Sequence, residues 1–207
     1  MTPLSAAGFQ AATNVSRETL DRLETYLALL ERWQRSINLV GRRGLDDPWR
    51  RHLLDSAQLL ALVPKTATGL VDLGSGAGFP GLVLAIMGAR GVELIESNAR
   101  KSVFLAEAAR ATGTELTVTH GRIEKIAPRA AAVVTARACA PLGRLLGHIS
   151  RHLAPGGRAL LLKGAGVDAE LTAAAKDWTM ALDRLASVSD AAGVILEIRD
   201  LGRAHRS

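Results

Sequence analysis

The first third of the chain shows the apolar periodicity of amphipathic helices. Between residues 16 and 37, leucines recur every three or four positions, and Ser16 stands where the N-cap of a helix is expected. A second helix is predicted from about residue 46 to residue 63, where Pro64 interrupts the pattern. These two helices are too small to form a core of their own. Residues 1–64 are therefore predicted to be a helical extension that packs on the rest of the chain.

From residue 69 the pattern changes to short apolar runs that alternate with stretches of helical periodicity. Strands are predicted for GLVDLG, GVELIE, ELTVTH, AAVVTARA and RALLLKG, and helices between them for PGLVLAIMG, ARKSVFLAEAARATG and LGRLLGHISRHL. The tail VILEIRDLG is expected to add a final edge strand, and the last four residues, AHRS, to be loose. This alternation predicts that residues 65–207 form an α/β domain, a mostly parallel sheet with helices on both faces. Ligands of such sheets bind beyond the carboxyl ends of the strands.

The composition is that of an ordinary globular protein. Of 207 residues, 48% are hydrophobic and 22% charged, which excludes a disordered chain, and the 3% of aromatic residues argues against a surface that stacks single-stranded bases. The single cysteine, Cys139, excludes a disulfide framework and a cysteine zinc site, and we expect no metal. We see neither an apolar run of roughly 18 residues nor a signal peptide, and therefore expect a cytoplasmic protein that spans no membrane.

The net charge of +6 is concentrated in the middle of the chain. Residues 1–96 carry 10 basic and 10 acidic side chains, residues 97–163 carry 11 and 3, and residues 164–207 carry 5 and 7. The middle segment alone therefore has a net charge of +8. Such a segment can attract a polyanion, although solvated helix faces in an arginine-rich protein would give the same count.

The densest motif is VDLGSGAGFPG, in which a strand ends at Leu73 and three glycines follow at positions 74, 76 and 78. Glycine lets the backbone turn sharply and lets a ligand approach it closely. The next predicted strand ends in Glu96, twenty residues after Gly76, where a carboxylate can accept hydrogen bonds from two ribose hydroxyls. Together the two features indicate a cofactor that contains a nucleoside, in preference to a glycine-rich turn without a ligand.

Two classes of cofactor compete for this loop. Gly76, Gly78 and Gly81 satisfy the G-x-G-x-x-G spacing of dinucleotide sites. Asp72 argues against that class, because its negative charge would repel a pyrophosphate at the start of the following helix. S-adenosylmethionine has no phosphate and carries a sulfonium and an ammonium, so Asp72 favours it. Asp72, Gly74, Gly76 and Gly78 are thus candidate cofactor residues.

Several segments together resemble the RsmG (GidB) family. Along the chain these segments are, in order, WQRSINLV, RRHLLDS, VDLGSGAGFPGLVLAI, ELIESNARKSVFLAEAA, HGRIEK, VVTARACAPL and GRALLLKG. The resemblance covers about residues 20–165, and FPG, RHLLDS and TARA-x-APL are its most specific parts. It implies a class I, Rossmann-like methyltransferase that transfers a methyl group from S-adenosylmethionine to N7 of one guanine, position 527 in the family, in 16S ribosomal RNA.

The resemblance also implies roles for individual residues. The cofactor contacts of the family fall on Gly74, Phe79, Ile123, Glu124 and Arg137, and the adenosine-binding strand end matches Glu96, Ser97 and Asn98. Phe79 and Ile123 have the chemistry to sandwich an adenine. For Phe79 the alternative is packing of a helix on the sheet, and for Ile123 a place in the core.

The implied chemistry needs no general base, because guanine N7 has a free lone pair and no proton. Positioning of the reactants then supplies most of the catalysis. No catalytic residue is therefore assigned, and Arg137, which follows the fourth strand, is the nearest candidate. The histidines show no metal-ligand spacing, and Cys139 is interpreted as a structural thiol.

Arg144 and Lys163 are candidate RNA contacts, since both are predicted at or just beyond strand ends at the ligand edge. For Lys163, helix capping is an equal alternative. Further arginines around the second helix could extend an RNA surface or simply be solvated: Arg42, Arg43, Arg50 and Arg51.

Two other functions stay open at this point, a small-molecule methyltransferase on the same fold and an RNA-binding module with a vestigial nucleoside pocket. The charge of residues 97–163 disfavours the first, and the set Gly74, Glu96 and Arg137 disfavours the second. The expected partner is the 16S rRNA of the small ribosomal subunit, and the protein is expected to be a monomer.

Overall fold

A computed structural model describes residues 2–204, except for the side chains of Arg42 and Arg43. The strands are β1 (Leu70–Leu73), β2 (Val92–Glu96), β3 (Thr117–His120), β4 (Ala131–Arg137), β5 (Leu153–Lys163), β6 (Trp178–Ala186) and β7 (Val194–Arg203). The regular helices are α1 (Ala6–Thr13), α2 (Arg17–Gln34), α4 (Gly81–Ile86), α5 (Ala99–Ala111), α6 (Leu142–His152) and α7 (Val167–Ala174).

The remaining helical segments are irregular. We use α3 for one continuous segment of three geometries, π at Trp49–Leu54, α at Asp55–Ala57 and 3₁₀ at Gln58–Leu62. Short 3₁₀ turns lie at Arg42–Leu45 and Ile123–Lys125. Within residues 2–204, no helix is both long and apolar enough to cross a lipid bilayer.

The seven strands form one sheet in the order β3-β2-β1-β4-β5-β7-β6. The first five strands in sequence pair in parallel, and Leu70 at the start of β1 stands opposite Val92 of β2 and Val133 of β4. Strand β7 is antiparallel to both of its neighbours. The order reverses at β1, so the carboxyl ends of β1, β2 and β4 surround the crevice in which open α/β sheets bind ligands.

Each face of the sheet carries its own hydrophobic core. Alternate residues of β1 point into different cores. Leu70 packs in the core that contains residues of α2, α3, α4 and α5, whereas Val71 and Leu73 pack in the core that contains residues of α6 and α7. All four residues of β1 are buried. Burial on both faces explains why the central strands read as continuous apolar runs in the sequence.

The N-terminal helices belong to the first of these cores. Helix α2 begins where it was predicted, with the Ser16 side chain accepting a hydrogen bond from the backbone N–H of Thr19. Its buried Tyr26 donates a hydrogen bond to the carbonyl of Ala77 in the loop after β1. The ring of Phe9 from α1 packs on Trp49 of α3, with 5.3 Å between ring centroids. The extension therefore packs directly beneath the glycine-rich loop.

The predicted α/β sheet with helices on both faces is confirmed, and so are the five predicted strands that form its parallel part. The prediction for the tail was wrong in its position. The segment VILEIRDLG forms β7, which lies between β5 and β6 instead of at the edge. The strand at that edge is β6, which the sequence pattern did not reveal, and α1 and α7 were not anticipated either. The backbone N–H of Ala204 donates to the carbonyl of Asp177, and residues 205–207 lie outside the described part.

Two helical glycines differ sharply in the space around them. A Cβ at Gly81, the first residue of α4, would lie 2.5 Å from Leu94 Cδ2 and 2.6 Å from Asp72 Cβ. A Cβ at Gly143, in the first turn of α6, would have no neighbour within 4 Å. Only at Gly81, therefore, does the close approach of a helix to the sheet depend on glycine.

We predict that Gly81→Ala lowers the free energy of unfolding by about 1–3 kcal/mol, because overpacking shifts β1 or β2. Gly143→Ala is the matched control, and it should stabilise the protein by up to about 1 kcal/mol, since alanine has the higher helix propensity. Urea unfolding followed by tryptophan fluorescence measures both variants. Equal effects of the two substitutions would contradict this account of the Gly81 contact.

Candidate functional site

A cavity of about 890 Å³ opens at the carboxyl ends of β1, β2 and β4. Nine of the residues predicted to contact the cofactor or the RNA line it: Gly74, Gly76, Phe79, Glu96, Ser97, Ile123, Glu124, Arg137 and Arg144. Four others do not line it: Asp72, Gly78, Asn98 and Lys163. The spacing of motifs along the chain thus brings most of the candidate residues into one place.

The three glycines of the loop have different roles. Gly74 and Gly76 have φ angles of +69° and +58°, which side chains rarely adopt. A Cβ at Gly74 would lie 2.5 Å from Cys139 Sγ, so the β4–α6 connection can pack this closely only because Gly74 has no side chain. A Cβ at Gly76 would meet only a carbonyl oxygen 3.8 Å away, so its backbone is open to the cavity. Gly78 instead packs against Leu82 and does not line the cavity, and its contact with a cofactor stays a prediction.

Glu96 ends β2 with its carboxylate held by two backbone donors. The N–H of Gly76 donates to Oε2 at 2.8 Å, and the N–H of Asn98 donates to Oε1 at 2.7 Å. The residue is only 7% exposed, yet it lines the cavity. Each oxygen keeps a lone pair beyond the one that the backbone uses, so the carboxylate can still accept hydrogen bonds from a diol.

Asn98 caps a helix, and the cofactor contact that the resemblance implied for it stays a prediction. Its side chain accepts a hydrogen bond from the N–H of Lys101 at 3.1 Å, which makes it the N-cap of α5. An N-cap of this kind satisfies an otherwise free helix donor. Its contribution to the cavity is therefore indirect, through the backbone N–H that orients Glu96.

Asp72 lies beneath the cavity floor. It is fully buried, with Oδ1 accepting a hydrogen bond from the Thr135 hydroxyl at 2.7 Å, and Oδ2 has no hydrogen-bond partner among the described residues. Burial raises the pKa of this carboxyl to about 6. Its hydrogen bonds and the charge of Arg137 lower the pKa, but their combined effect is smaller than that of burial. Asp72 is thus a buried carboxyl that does not line the cavity, and its direct contact with a cofactor stays a prediction.

Phe79 packs in an aromatic stack within the protein. Its ring is 4% exposed and lies parallel to His52, with ring centroids 4.6 Å apart. The guanidinium of Arg137 lies 4.8 Å from the centre of the same ring. Phe79 therefore joins α3 to the loop after β1, as in the packing alternative, and it also lines the cavity, so its contact with an adenine stays a prediction.

Arg137, at the end of β4, is bound to the N-terminal extension. Its Nη1 donates to the carbonyl of Arg51 at 3.0 Å and to Asp55 Oδ2 at 3.2 Å, and lies 3.2 Å from His52 Nδ1. Burial and the Arg137 charge lower the pKa of His52 to about 4, so the imidazole is neutral at pH 7. His52 and Asp55 were not predicted from the sequence as site residues. Their signal was present in the segment RRHLLDS, which carried the resemblance.

Cys139 is a structural thiol, as interpreted from the sequence. It packs against Gly74, and burial together with the nearby Asp72 and Glu96 carboxylates raises its pKa to about 11. A thiol with such a pKa stays protonated at pH 7 and is a poor nucleophile.

The outer part of the cavity is cationic. Ile123 and Glu124 lie in the 3₁₀ turn after β3, and four basic or titratable side chains complete this rim: Lys101, Arg122, Arg144 and His148. Arg144 is exposed at the start of α6, in agreement with the position predicted for it. Basic side chains therefore surround the opening of the cavity towards solvent.

Lys163 and the N-terminal arginines are placed differently from the expectation of exposed RNA contacts. The Lys163 side chain is 8% exposed and its Nζ forms an ion pair with Glu170 at 2.7 Å. Arg50 pairs with Asp47, whereas Arg51 is exposed. The side chains of Arg42 and Arg43 lie outside the described residues.

We predict a distinctive pH dependence from Asp72. The folded pKa of about 6 lies above the ordinary 3.8, so between these values the folded protein binds the proton more tightly than the unfolded chain. Stability from this group is full at low pH and is lost as the pH rises through 6. The free energy of unfolding of the wild type, minus that of Asp72→Asn, should fall by about 2 kcal/mol between pH 4 and pH 7. Urea unfolding at both pH values tests this, and a constant difference would contradict it.

Comparison with solved structures shows the fold. The chain is similar to a SAM-dependent methyltransferase from Aquifex aeolicus, with a TM-score of 0.59 and 18% identity, over 75% of this chain and 95% of the other. It is also similar to the T. thermophilus 16S rRNA N2 G1207 methyltransferase in complex with AdoMet and guanosine. There the TM-score is 0.53 and the identity 21%, over 79% of this chain and 42% of the other. Both neighbours share the Rossmann-like architecture.

Comparison of sequences is more specific. The model of the GidB family, described as rRNA small subunit methyltransferase G, matches residues 19–197. Ribosomal RNA small subunit methyltransferase G of Rhodospirillum rubrum is 55% identical over 99% of this chain and 100% of its own length. The protein of that name from Paramagnetospirillum magneticum is 56% identical over 92% of this chain and 93% of its own length. A match of this extent and identity shows that the chain belongs to the GidB family of small-subunit rRNA methyltransferases.

Proposed function

We propose that this protein transfers a methyl group from S-adenosylmethionine to N7 of a single guanine in 16S rRNA, the guanine at position 527 in the family's numbering. The observation that carries the proposal is the cavity built around Glu96 in a chain of this family. We further propose that the enzyme acts as a monomer in the cytoplasm, where the small subunit is found.

The residues present fit the cofactor. The open backbone at Gly76 leaves room that a side chain would fill, and the spare lone pairs of Glu96 suit the two hydroxyls of a ribose. The unpaired Oδ2 of Asp72 adds negative potential below the loop, which favours a ligand with positive groups and disfavours one with a pyrophosphate. Ser97 and the turn with Ile123 and Glu124 would bound the adenine end of the cavity.

S-adenosylmethionine, when bound, supplies an activated methyl group on a positively charged sulfur. The protein's task is then to hold N7 of the guanine in line with that methyl, and no proton has to be removed. His52 and Cys139 are both uncharged at pH 7, so neither adds charge near the developing positive charge of the purine. Arg137, fixed by α3, would act by positioning and not as a general base.

The cationic rim suits the ribose–phosphate backbone next to the target. Arg144 is our candidate for a phosphate contact there, whereas the ion pair with Glu170 removes Lys163 from that role. A guanine in an unpaired loop could reach the carboxyl ends of the strands beside this rim, because stacked bases of A-form RNA are poorly accessible.

The function is tested by methyl transfer from labelled S-adenosylmethionine to small ribosomal subunits purified from a strain that lacks the gene. We expect incorporation into 16S rRNA and none into subunits from the wild-type strain, which are already modified. Cleavage of the RNA at 7-methylguanosine should map the label to one nucleotide. Label in a small molecule or in protein instead of rRNA would refute the proposal.

Glu96→Gln should raise the dissociation constant of S-adenosylmethionine about tenfold or more, because a hydrogen bond to a charged acceptor contributes about 1.5–3 kcal/mol. The matched control is Glu93→Gln on the same strand, whose carboxylate binds Arg129 away from the cavity. Isothermal titration calorimetry measures both variants. Unchanged affinity in Glu96→Gln would remove Glu96 from the cofactor site.

A further inference from the structure

A second cavity of about 840 Å³ adjoins the first one. The two share part of the β4–α6 connection as a common wall, namely Arg137, Ala138, Cys139 and Ala140. The second cavity lies beyond the carboxyl ends of β4 and β5, and Asp190 and Gly193 of the β6–β7 connection also line it. The cofactor residues discussed above, apart from Arg137, lie on the other side of the wall.

One ion pair dominates the polar lining of this second cavity. Lys163, the last residue of β5, donates from Nζ to Oε2 of Glu170 on α7 at 2.7 Å. The same oxygen accepts the backbone N–H of Leu142, at the start of α6, also at 2.7 Å. The other carboxylate oxygen, Oε1, has no hydrogen-bond partner among residues 2–204, and the Glu170 side chain is 33% exposed. A fixed donor and a free acceptor thus lie side by side.

The other carboxylates of this cavity are less suited to a ligand. Asp55 uses Oδ2 for Arg137 and Oδ1 for Ser189 and Gln58. Asp190 is exposed, and its Oδ1 accepts the backbone N–H of Ala192. Among the described residues of this cavity, Glu170 is the carboxylate that an ion pair holds in place beside an unoccupied oxygen.

We propose that the second cavity receives the acceptor guanine and that the Lys163–Glu170 pair recognises its Watson–Crick edge, an inference that rests on the proposed function. The edge of guanine runs from N7 through O6 and N1–H to the N2 amino group. With N7 at the shared wall, O6 would accept from Lys163, and N1–H and the N2 amino group would donate to Oε1 of Glu170. Adenine has a donor where guanine has O6 and an acceptor where guanine has N1–H, so the same pair rejects it.

This arrangement also serves the reaction. Transfer of the methyl cation breaks its bond to sulfur and forms a bond to N7, leaving the purine positively charged and its N1–H more acidic. A carboxylate that accepts from N1–H strengthens its hydrogen bond as that charge develops, which is stabilisation specific to the transition state. Glu170 remains ionised near neutral pH, because Lys163 and the Leu142 N–H outweigh burial and lower its pKa.

The test is titration of guanosine, inosine and adenosine into the full-length protein saturated with S-adenosylhomocysteine, followed by NMR. Wild type should bind guanosine at least about tenfold more tightly than inosine, which lacks the N2 amino group, or adenosine, which reverses the edge. Glu170→Gln and Lys163→Met should each reduce the guanosine-to-adenosine affinity ratio about tenfold. Asp168→Asn is the matched control on α7, because Asp168 pairs with Arg184 at the surface and should leave the ratio unchanged.

The outcomes separate this inference from the proposed function. Equal affinity of the wild type for the three nucleosides overturns the inference without recourse to any variant. It is also overturned if Glu170→Gln and Lys163→Met keep the wild-type ratio and methylate subunits with unchanged kcat/KM while binding S-adenosylhomocysteine normally. If the wild type discriminates between the nucleosides but fails to methylate small subunits, the proposed function falls and the guanine site stands.

Discussion

The cavity depends above all on the two backbone hydrogen bonds that the Glu96 carboxylate accepts. One comes from the loop after β1 and the other from the residue before α5, so a single side chain fixes two loops that are twenty residues apart in sequence. This is possible because β1 and β2 are parallel neighbours, which brings their carboxyl ends to the same edge of the sheet. The carboxylate is therefore both part of the scaffold and part of the ligand site. Loss of its charge should disturb the loop and the ligand together.

The predictable part of the fold is the part buried on both faces. Strands β1, β2, β4 and β5 give apolar runs whose length and glycine boundaries identify them, and helix α2 shows a clear apolar face capped by Ser16. Strand β6 was missed because its residues alternate between half-buried and exposed and include Asp183 and Arg184. Helix α3 changes from π to α to 3₁₀ geometry within one segment, and no simple period describes it.

The site was predictable in its backbone features and less so in its side-chain partners. The glycine loop and Glu96 follow from local spacing, and both lie where the sequence placed them. The contact between Arg137 and Asp55 joins residues more than eighty positions apart, so no local pattern contains it. A count of charges likewise does not show which side chains are paired in the folded chain. Five of the basic side chains in residues 97–163 pair with carboxylates: Arg122, Arg129, Arg137, Arg158 and Lys163. The field available to a polyanion therefore comes mainly from the remaining cations, with Arg144 and Lys101 at the cavity rim.

The same contacts bear on how the N-terminal helices take part in function. Asp55 of α3 accepts hydrogen bonds from Arg137 at the end of β4 and from Ser189 in the β6–β7 connection, while Gln58 binds the backbone of Val188. Helix α3 thus connects the wall between the two cavities to the loop that closes the second one. Residues 1–64 read in the sequence as an accessory extension, but in the folded chain they hold Arg137 from one side and the β6–β7 connection from the other. A displacement of α3 would change both cavities at once, so the extension and the α/β domain are best regarded as one catalytic unit.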